Sequence, residues 1–357
     1  MQKVFITRQF PNAALQLIKD AGFIVNMWDS SEPVEYNYMI DKSKDIDGII
    51  CTINDKISDE FINSSKNLKV ISTMSVGFDH INQSAAQKRN IRIGYTPEVL
   101  TDATAELAIG LLLSVSRRLI EGVNSVRGGT WGAWKPFWMC GYGLKDSVVG
   151  IVGLGSIGKA IAKRVNSFGV KKLLASGSEK PKDKLIVEIE SKVLVNKVCF
   201  DELIACSDFI IVSCSLNENT KDLFNEKAFD KMKKNAILIN ISRGPVVNQD
   251  SLCKALIEGK IAGAGLDVCY PEPLPIDHPL LKLTNCIILP HIGSATIETR
   301  NFSPDAIATS QQSENFQGIY GPLRLPWLVL FRQHILDSRL IVPRKFWEIY
   351  PDYGNFY

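Results

Sequence analysis

The chain has 357 residues, 45% hydrophobic and 22% charged, with a formal net charge of +3. That length suggests two domains, and the composition is ordinary for a soluble globular chain. A charge so small gives no footing for nucleic acid or an anionic membrane. No apolar run nears the ~20 residues that cross a bilayer. The first residues lack the apolar core and small-residue cleavage site of a signal peptide. Eight cysteines are scattered without a C-x-x-C pair. Cys51, Cys214 and Cys286 lie in apolar strand-like runs. The pattern reads as reduced, buried thiols rather than disulfides or a metal site, and the cytosol is the simplest such compartment.

In chain order, residues 4–7 predict a strand and 11–21 an amphipathic helix with Leu15, Leu17 and Ile18 inward. Strands follow at 23–27, 48–52, 68–72 and 91–95, with helices at 58–64 and 82–88. Ser58 is a candidate N-cap. The polar stretch 30–47 predicts no clear element. Alternating strands and helices imply a parallel sheet with right-handed crossovers. Thr101 and Asp102 cap a predicted long helix from 103 to about 126. It is apolar almost all round, as a buried connector would be, and Gly128-Gly129 ends it. Residues 131–143 form a loop rich in aromatics, with Trp131, Trp134, Phe137, Trp138 and Tyr142. Two readings stand for it: a surface loop packed on its own aromatics, or a contact with a partner subunit.

The stretch 147–158 organises the rest. An apolar run, 148–152, breaks into Gly153, Gly155 and Gly158, then into a helix predicted over 157–168. This G-x-G-x-x-G spacing, placed between a strand and a helix, is the dinucleotide-binding fingerprint. The first glycine permits the turn, the second admits a pyrophosphate, and the third lets helix and strand pack closely. Ser156 and Ile157 open the helix, whose amino end favours anions. The next strand, 171–175, ends in Ser176-Gly177-Ser178 where an acid would grip the ribose of NAD. With Lys180 and Lys182 following, the loop favours NADPH, and Glu179 keeps NADH open. Further strands at 209–214, 236–241, 261–268 and 287–289, with helices at 201–205, 226–232 and 250–258, make a second α/β set.

Packing alone does not explain three segments of this second set. Arg243 ends a buried strand, Asp267 follows another with Glu272 between two prolines, and His291 follows a third. Ligands of open α/β sheets bind at such strand ends. His80, His278 and His334 have no comparable surroundings.

Several motifs recur in order: Met-Ser-Val-Gly-Phe-Asp-His at 74–80, Gly-Tyr-Thr-Pro-Glu-Val-Leu-Thr-Asp at 94–102, and Trp-Lys-Pro-Phe-Trp-Met-Cys-Gly-Tyr-Gly at 134–143. Ile-Ser-Arg-Gly at 241–244, Tyr-Pro-Glu-Pro-Leu at 270–274 and Pro-His-Ile-Gly-Ser-Ala-Thr at 290–296 complete the set. With the glycine fingerprint, they resemble the D-isomer-specific 2-hydroxyacid dehydrogenases, most of all the glyoxylate reductase/hydroxypyruvate reductase branch. The likeness spans residues 1 to about 301.

The resemblance implies two Rossmann-like or flavodoxin-like doubly wound parallel-sheet α/β domains with the active site in the cleft between them. One comprises residues 1–101 plus about 292–318, and the other residues 102–291. It implies an enzyme that reduces a small 2-oxo acid to the 2-hydroxy acid with a nicotinamide dinucleotide. His291 would be the general acid, Glu272 its partner, and Arg243 the group that grips the carboxylate. Val76, Gly77, Arg243, His291 and Ser294 would line the substrate. Gly153, Gly155, Ser156, Ile157, Gly158, Ser176, Gly177, Ser178, Ser215, Ile241 and Asp267 would line the cofactor, and no metal is implied. A homodimer through 102–143 is implied as well. Rival readings are a dehydrogenase of another 2-hydroxy acid, a dinucleotide-sensing corepressor-like binding protein, and an inactive chain damaged by its tail. Residues 319–357 depart from the family pattern as an atypical carboxyl-terminal tail.

Overall fold

The computed structural model describes residues 1–301 and 320–322, apart from residues 11, 21, 97, 178–184, 190 and 191. The chain divides into two compact units.

The first unit spans Met1–Pro97 and includes the late strand 320–322. Its elements are β1 (Lys3–Ile6), α1 (Asn12–Asp20), β2 (Ile24–Met27), α2 (Tyr36–Ser43) and β3 (Gly48–Cys51). They continue with α3 (Asp59–Ser64), β4 (Val70–Thr73), α4 (Gln83–Lys88) and β5 (Arg92–Tyr95). All strands pair in parallel, in the order β5-β4-β3-β1-β2, with strand Tyr320–Pro322 outside β5. β3 is buried along its whole length. Alternation divides the neighbouring residues between two faces. Phe5, Ile49, Ile71 and Ile93 fill one core, and Val4, Ile6, Ile50 and Val70 the other. Ser58 caps α3 by accepting from the Phe61 N–H at 3.2 Å. α2 forms in the stretch without a clear pattern, and buries only Met39 and Ser43.

The second unit spans Glu98–Phe302. Residues 98–101 and 292–302 therefore belong with it, beyond the expected boundaries at 102 and 291. The chain after His291 stays because the Ile292 and Gly293 amides are bonded to Asp267. The single long helix expected from about 103 to 126 is two helices, α5 (Thr101–Ser116) and α6 (Leu119–Arg127). Arg118 takes a left-handed conformation at the break (φ 54°), and the Tyr142 backbone N–H donates to the Ser116 carbonyl there at 2.8 Å. Two arginines at the joint suit a helix as well as a turn, so sequence pattern did not mark it. The N-cap of α5 is Leu100, without a side-chain cap. Thr101 lies inside the helix, and Asp102 pairs with Arg164 at 2.8 Å.

Next come β6 (Val148–Val152), α7 (Ser156–Asn166), β7 (Lys172–Ser176), β8 (Leu185–Ile189), β9 (Val193–Lys197), α8 (Phe200–Cys206), β10 (Phe209–Val212) and α9 (Glu226–Lys231). β11 (Ile237–Asn240), α10 (Gln249–Ile257), β12 (Gly263–Leu266), β13 (Cys286–Ile288) and α11 (Ile297–Asn301) complete the unit. The sheet order is β13-β12-β11-β10-β6-β7-β9-β8. Among the described residues only β8 pairs antiparallel, against β9, a pairing that sequence pattern did not announce. Val149, Ile151, Ile211 and Ile239 pack with Ala108, Leu112 and Ile161 of α5 and α7. Val212, Leu238, Ala264 and Leu266 pack on the opposite face with Leu203, Phe229 and Leu252.

The register positions the site. Val152 lies opposite Ser176 and Val212, Val212 opposite Asn240, Asn240 opposite Leu266, and Leu266 opposite Ile288. The carboxyl ends of these strands thus form one row. The sequence order reverses at β6, between β7 and β10, which is the switch point where doubly wound sheets bind ligands.

Candidate active site

Gly153 leaves β6 with φ at 96°, and its N–H donates to the Ser176 carbonyl at 2.8 Å. A Cβ there would sit 2.6 Å from the Cys214 nitrogen, so only glycine fits the turn. A Cβ at Gly158 would lie 2.1 Å from the Gly153 carbonyl oxygen, which brings α7 hard against the turn. At Gly155 a Cβ would meet nothing within 4 Å. Ser156 and Ile157 open α7, and the first N–H groups of a helix have no intrahelical partner. An open space beside such N–H groups fits the pyrophosphate of a dinucleotide.

The other expected cofactor residues lie along the same row of strand ends. Ser176 is buried at the end of β7, and Gly177 is exposed with open space where a Cβ would stand. Ser178 lies outside the described residues, as do Glu179, Lys180 and Lys182. Ile241 is buried just past β11 and donates its N–H to the Val212 carbonyl at 3.2 Å. Ser215, after β10, is exposed, and its carbonyl accepts from the Thr220 hydroxyl at 2.7 Å.

Arg243 is presented by Asn240, the fully buried last residue of β11. The Asn240 amide donates to the Arg243 carbonyl at 3.0 Å and accepts from the Ser242 N–H and hydroxyl at 3.1 and 2.9 Å. Arg243 is half-buried and donates through Nη1 to the Ser242 carbonyl at 2.9 Å. A Cβ on Gly244 would fall 2.1 Å from the Cys269 carbonyl oxygen. The arginine turn therefore lies directly against the start of the loop that carries Glu272.

Glu272 accepts from the Cys269 N–H at 3.0 Å through Oε1, and its Oε2 is 2.8 Å from His291 Nδ1. Burial raises the Glu272 carboxyl, but the His291 and Cys269 hydrogen bonds and the charges of His291 and Arg243 outweigh it. The carboxyl is held below its ordinary value, so the carboxylate is the favoured form. The Glu272 and His291 side chains keep 27% and 26% exposure, enough for a small molecule to reach them. With Nδ1 turned to Glu272, Nε2 is the ring nitrogen left to face a substrate oxygen.

His291 is itself left-handed (φ 57°), an uncommon conformation for a residue with a Cβ. Asp267, 1% exposed just past the end of β12, holds the turn. Its carbonyl accepts from the His291 N–H at 2.9 Å. Its Oδ1 and Oδ2 accept from the Ile292 and Gly293 N–H groups, each at 2.8 Å. Burial pushes the Asp267 carboxyl up, although the two amides pull it down. Each oxygen of Asp267 thus accepts one amide of the chain's own backbone. Half-buried Ser294 follows this turn.

In the first unit, Val76 and Gly77 follow the carboxyl end of β4. Ser75 shapes the turn by donating to the Gly77 carbonyl at 2.6 Å. The Val76 and Gly77 N–H groups make no hydrogen bond among the described residues. His80 contacts the Thr73 hydroxyl through Nε2 at 3.1 Å, and His278 Nδ1 accepts from the Leu280 N–H at 3.3 Å. Both are structural contacts. His334 lies outside the described residues.

The family description "D-isomer specific 2-hydroxyacid dehydrogenase, NAD binding domain" matches residues 109–293. The chain is 50% identical over 303 residues to the human glyoxylate reductase/hydroxypyruvate reductase, covering 84% of this chain and 91% of that protein. It is 44% identical over 301 residues to the glyoxylate reductase of Thermofilum pendens, covering 84% and 87%. The chain belongs to the D-isomer specific 2-hydroxyacid dehydrogenase family. Among solved structures, the TT0316 protein of Thermus thermophilus superposes with a TM-score of 0.74 at 37% identity, over 84% of this chain and 92% of that one. A glyoxylate reductase from Paecilomyes thermophila gives 0.73 at 27% identity, over 84% and 91%. As a member of this dehydrogenase family the chain is an oxidoreductase, and its second unit is a nicotinamide-dinucleotide domain.

Sequence pattern did not single out Asn240, which sets Arg243 in this dehydrogenase. The signal was present, since an amide at the last position of a fully buried strand must find partners for its polar atoms.

Proposed function

We propose that the protein reduces glyoxylate and hydroxypyruvate to their 2-hydroxy acids and prefers NADPH. The observation that carries this reading is the Glu272–His291 pair at 2.8 Å beside Arg243, on the strand ends that also carry the Gly153 turn. The identity with glyoxylate and hydroxypyruvate reductases over most of the chain supports the substrate class.

When bound, a nicotinamide dinucleotide supplies the hydride that the carbonyl carbon accepts. Arg243 takes the carboxylate and carbonyl oxygens with its planar fork and fixes the face presented for reduction. His291 delivers a proton from Nε2 to the carbonyl oxygen as charge develops there. Glu272 orients the ring through Nδ1 and favours its protonated form. Ser294 adds a hydroxyl three residues past His291. The NADPH preference rests on Gly177 and Ser178 standing where an acid would be expected, with Lys180 and Lys182 following in the sequence. Following NADPH and NADH oxidation with glyoxylate and with hydroxypyruvate tests the reading. NADPH-selective turnover that falls by about 10²–10⁴ in His291→Ala is expected. An intact protein that binds NADPH but reduces neither acid would sink the reading, and NADH selectivity would overturn its cofactor half.

The protein works as a homodimer through residues 102–143. In that stretch Trp131, Trp134 and Phe137 are 65%, 82% and 90% exposed, and Leu119, Ile120, Val123 and Val126 are exposed too. The loop therefore does not pack on its own aromatics, and an apolar surface of this kind marks an interface. Sedimentation at micromolar concentration should give a dimer, and Trp134→Ser with Phe137→Ser a monomer. A wild-type monomer would refute it. Eight free thiols suit a reducing compartment, the cytoplasm in this reading.

A further inference from the structure

Gln249, the first residue of α10, makes two hydrogen bonds to one backbone unit. Its Nε2 donates to the Tyr270 carbonyl at 2.7 Å, and its Oε1 accepts from the Tyr270 N–H at 2.6 Å. A primary amide satisfies a residue's donor and acceptor together, as a neighbouring strand would. Two residues along the loop is Glu272. On the other side of Tyr270, Cys269 gives its N–H to Glu272 and its carbonyl lies against Gly244. Residues 240–249 thus grip the Glu272 loop twice, once at Gly244 and once at Gln249. Asn248 fixes the start of α10 by accepting from the Ser251 N–H at 2.9 Å, so the amide projects from a capped helix.

We propose that Gln249 is a positioning residue for the reduction, holding Glu272 where it engages His291 Nδ1. This rests on the proposed role of that pair. The pair spends its polar atoms at single distances, 2.8 Å to His291 and 3.0 Å to Cys269. A loop free to swing at Tyr270 loses both. Displacements of about 1 Å at such a site cost on the order of 100-fold in rate. The charged and titratable groups that act on Glu272 are His291, Arg243, Asp267 and the Cys269 thiol. Releasing the loop removes the hydrogen bonds that hold the carboxyl low, so its ionisation moves up.

The test compares wild type, Gln249→Ala, Gln249→Glu and Glu272→Gln in the full chain. Gln249→Ala should lower kcat by about 10- to 100-fold. It should move the acid limb of kcat/KM to higher pH and leave NADPH affinity within about twofold. Gln249→Glu retains the acceptor for the Tyr270 N–H and should fall between. A second readout is independent of turnover: the far-downfield proton resonance of an imidazole N–H shared with a carboxylate. It should appear in wild type, vanish in Glu272→Gln and be lost or broadened in Gln249→Ala. An unchanged resonance and pH profile in Gln249→Ala would overturn the inference. A wild type that reduces neither acid but whose resonance responds to Gln249→Ala would defeat the proposed function and leave the positioning role standing.

Discussion

Two turns on the same row of strand ends are built alike and used differently. Gly153 and His291 are each left-handed, at φ 96° and 57°, and each is followed by backbone N–H groups. Such a residue followed by free N–H groups forms a concavity that suits an anion. In the His291 turn the chain fills that concavity itself, with both oxygens of Asp267. At the glycine turn the side of Gly155 stands open. The first turn is a fixed mount for an imidazole, and the second is left for a ligand. An anion-shaped turn is therefore a binding site only where the protein does not supply the anion.

The comparison breaks most visibly at Gly158. A methyl there would meet the Gly153 carbonyl oxygen at 2.1 Å and the Ser213 hydroxyl at 3.1 Å. Helix and turn must separate, which costs about 1–3 kcal/mol of overpacking. Gly158→Ala should lower the thermal midpoint by about 2–4 °C for each kcal/mol lost. It should also weaken NADPH binding about 100-fold or more, because the N–H groups of α7 move with the helix. Thermal unfolding and fluorescence titration read the two effects. Wild-type affinity in this variant would mean that the turn is not the dinucleotide seat.

Asp267→Asn sharpens the other half of the comparison. The amide can accept from one of the two N–H groups but presents a donor to the other. An unsatisfied buried donor costs about 1–3 kcal/mol, and it falls on the turn that aims His291. Turnover should drop by roughly 100-fold, with NADPH affinity changed by less than about threefold. The opposite pattern, lost affinity with normal turnover, would mean that Asp267 serves the cofactor site instead.

Much of this was legible in the sequence because it is repetitive or strictly spaced. The apolar runs at 148–152, 209–214 and 236–241 marked buried strands, and Arg243, Asp267 and His291 stood where such strands stop. What escaped notice depended on partners distant in sequence. Asn240 and Gln249 matter for the backbone they hold at Arg243 and Tyr270, and no local pattern announces that. The break at Arg118 is set by a loop returning to Ser116 more than twenty residues later. β8 and β9 are two short apolar runs at the sheet edge, where the pairing, not either run alone, makes the strand. Asp267 was legible as a strand-end residue, but its bonds to the Ile292 and Gly293 amides, 25 and 26 residues on, were not.

Gly155 isolates the ligand's share of the glycine turn. Its φ is −76°, ordinary for any residue, so alanine costs no backbone strain there. A Cβ would meet nothing of the protein within 4 Å, so packing is undisturbed as well. Gly155→Ala should therefore unfold within about 1 °C of wild type, as surface substitutions do. If the open side is where the pyrophosphate approaches the backbone, the methyl enters its space and NADPH affinity falls about tenfold, or about 1.4 kcal/mol. Gly158→Ala would lose stability and affinity together, and Gly155→Ala affinity alone. Should Gly155→Ala bind NADPH as wild type does, the space beside it is solvent, and the seat of the phosphates must lie elsewhere on the row of strand ends.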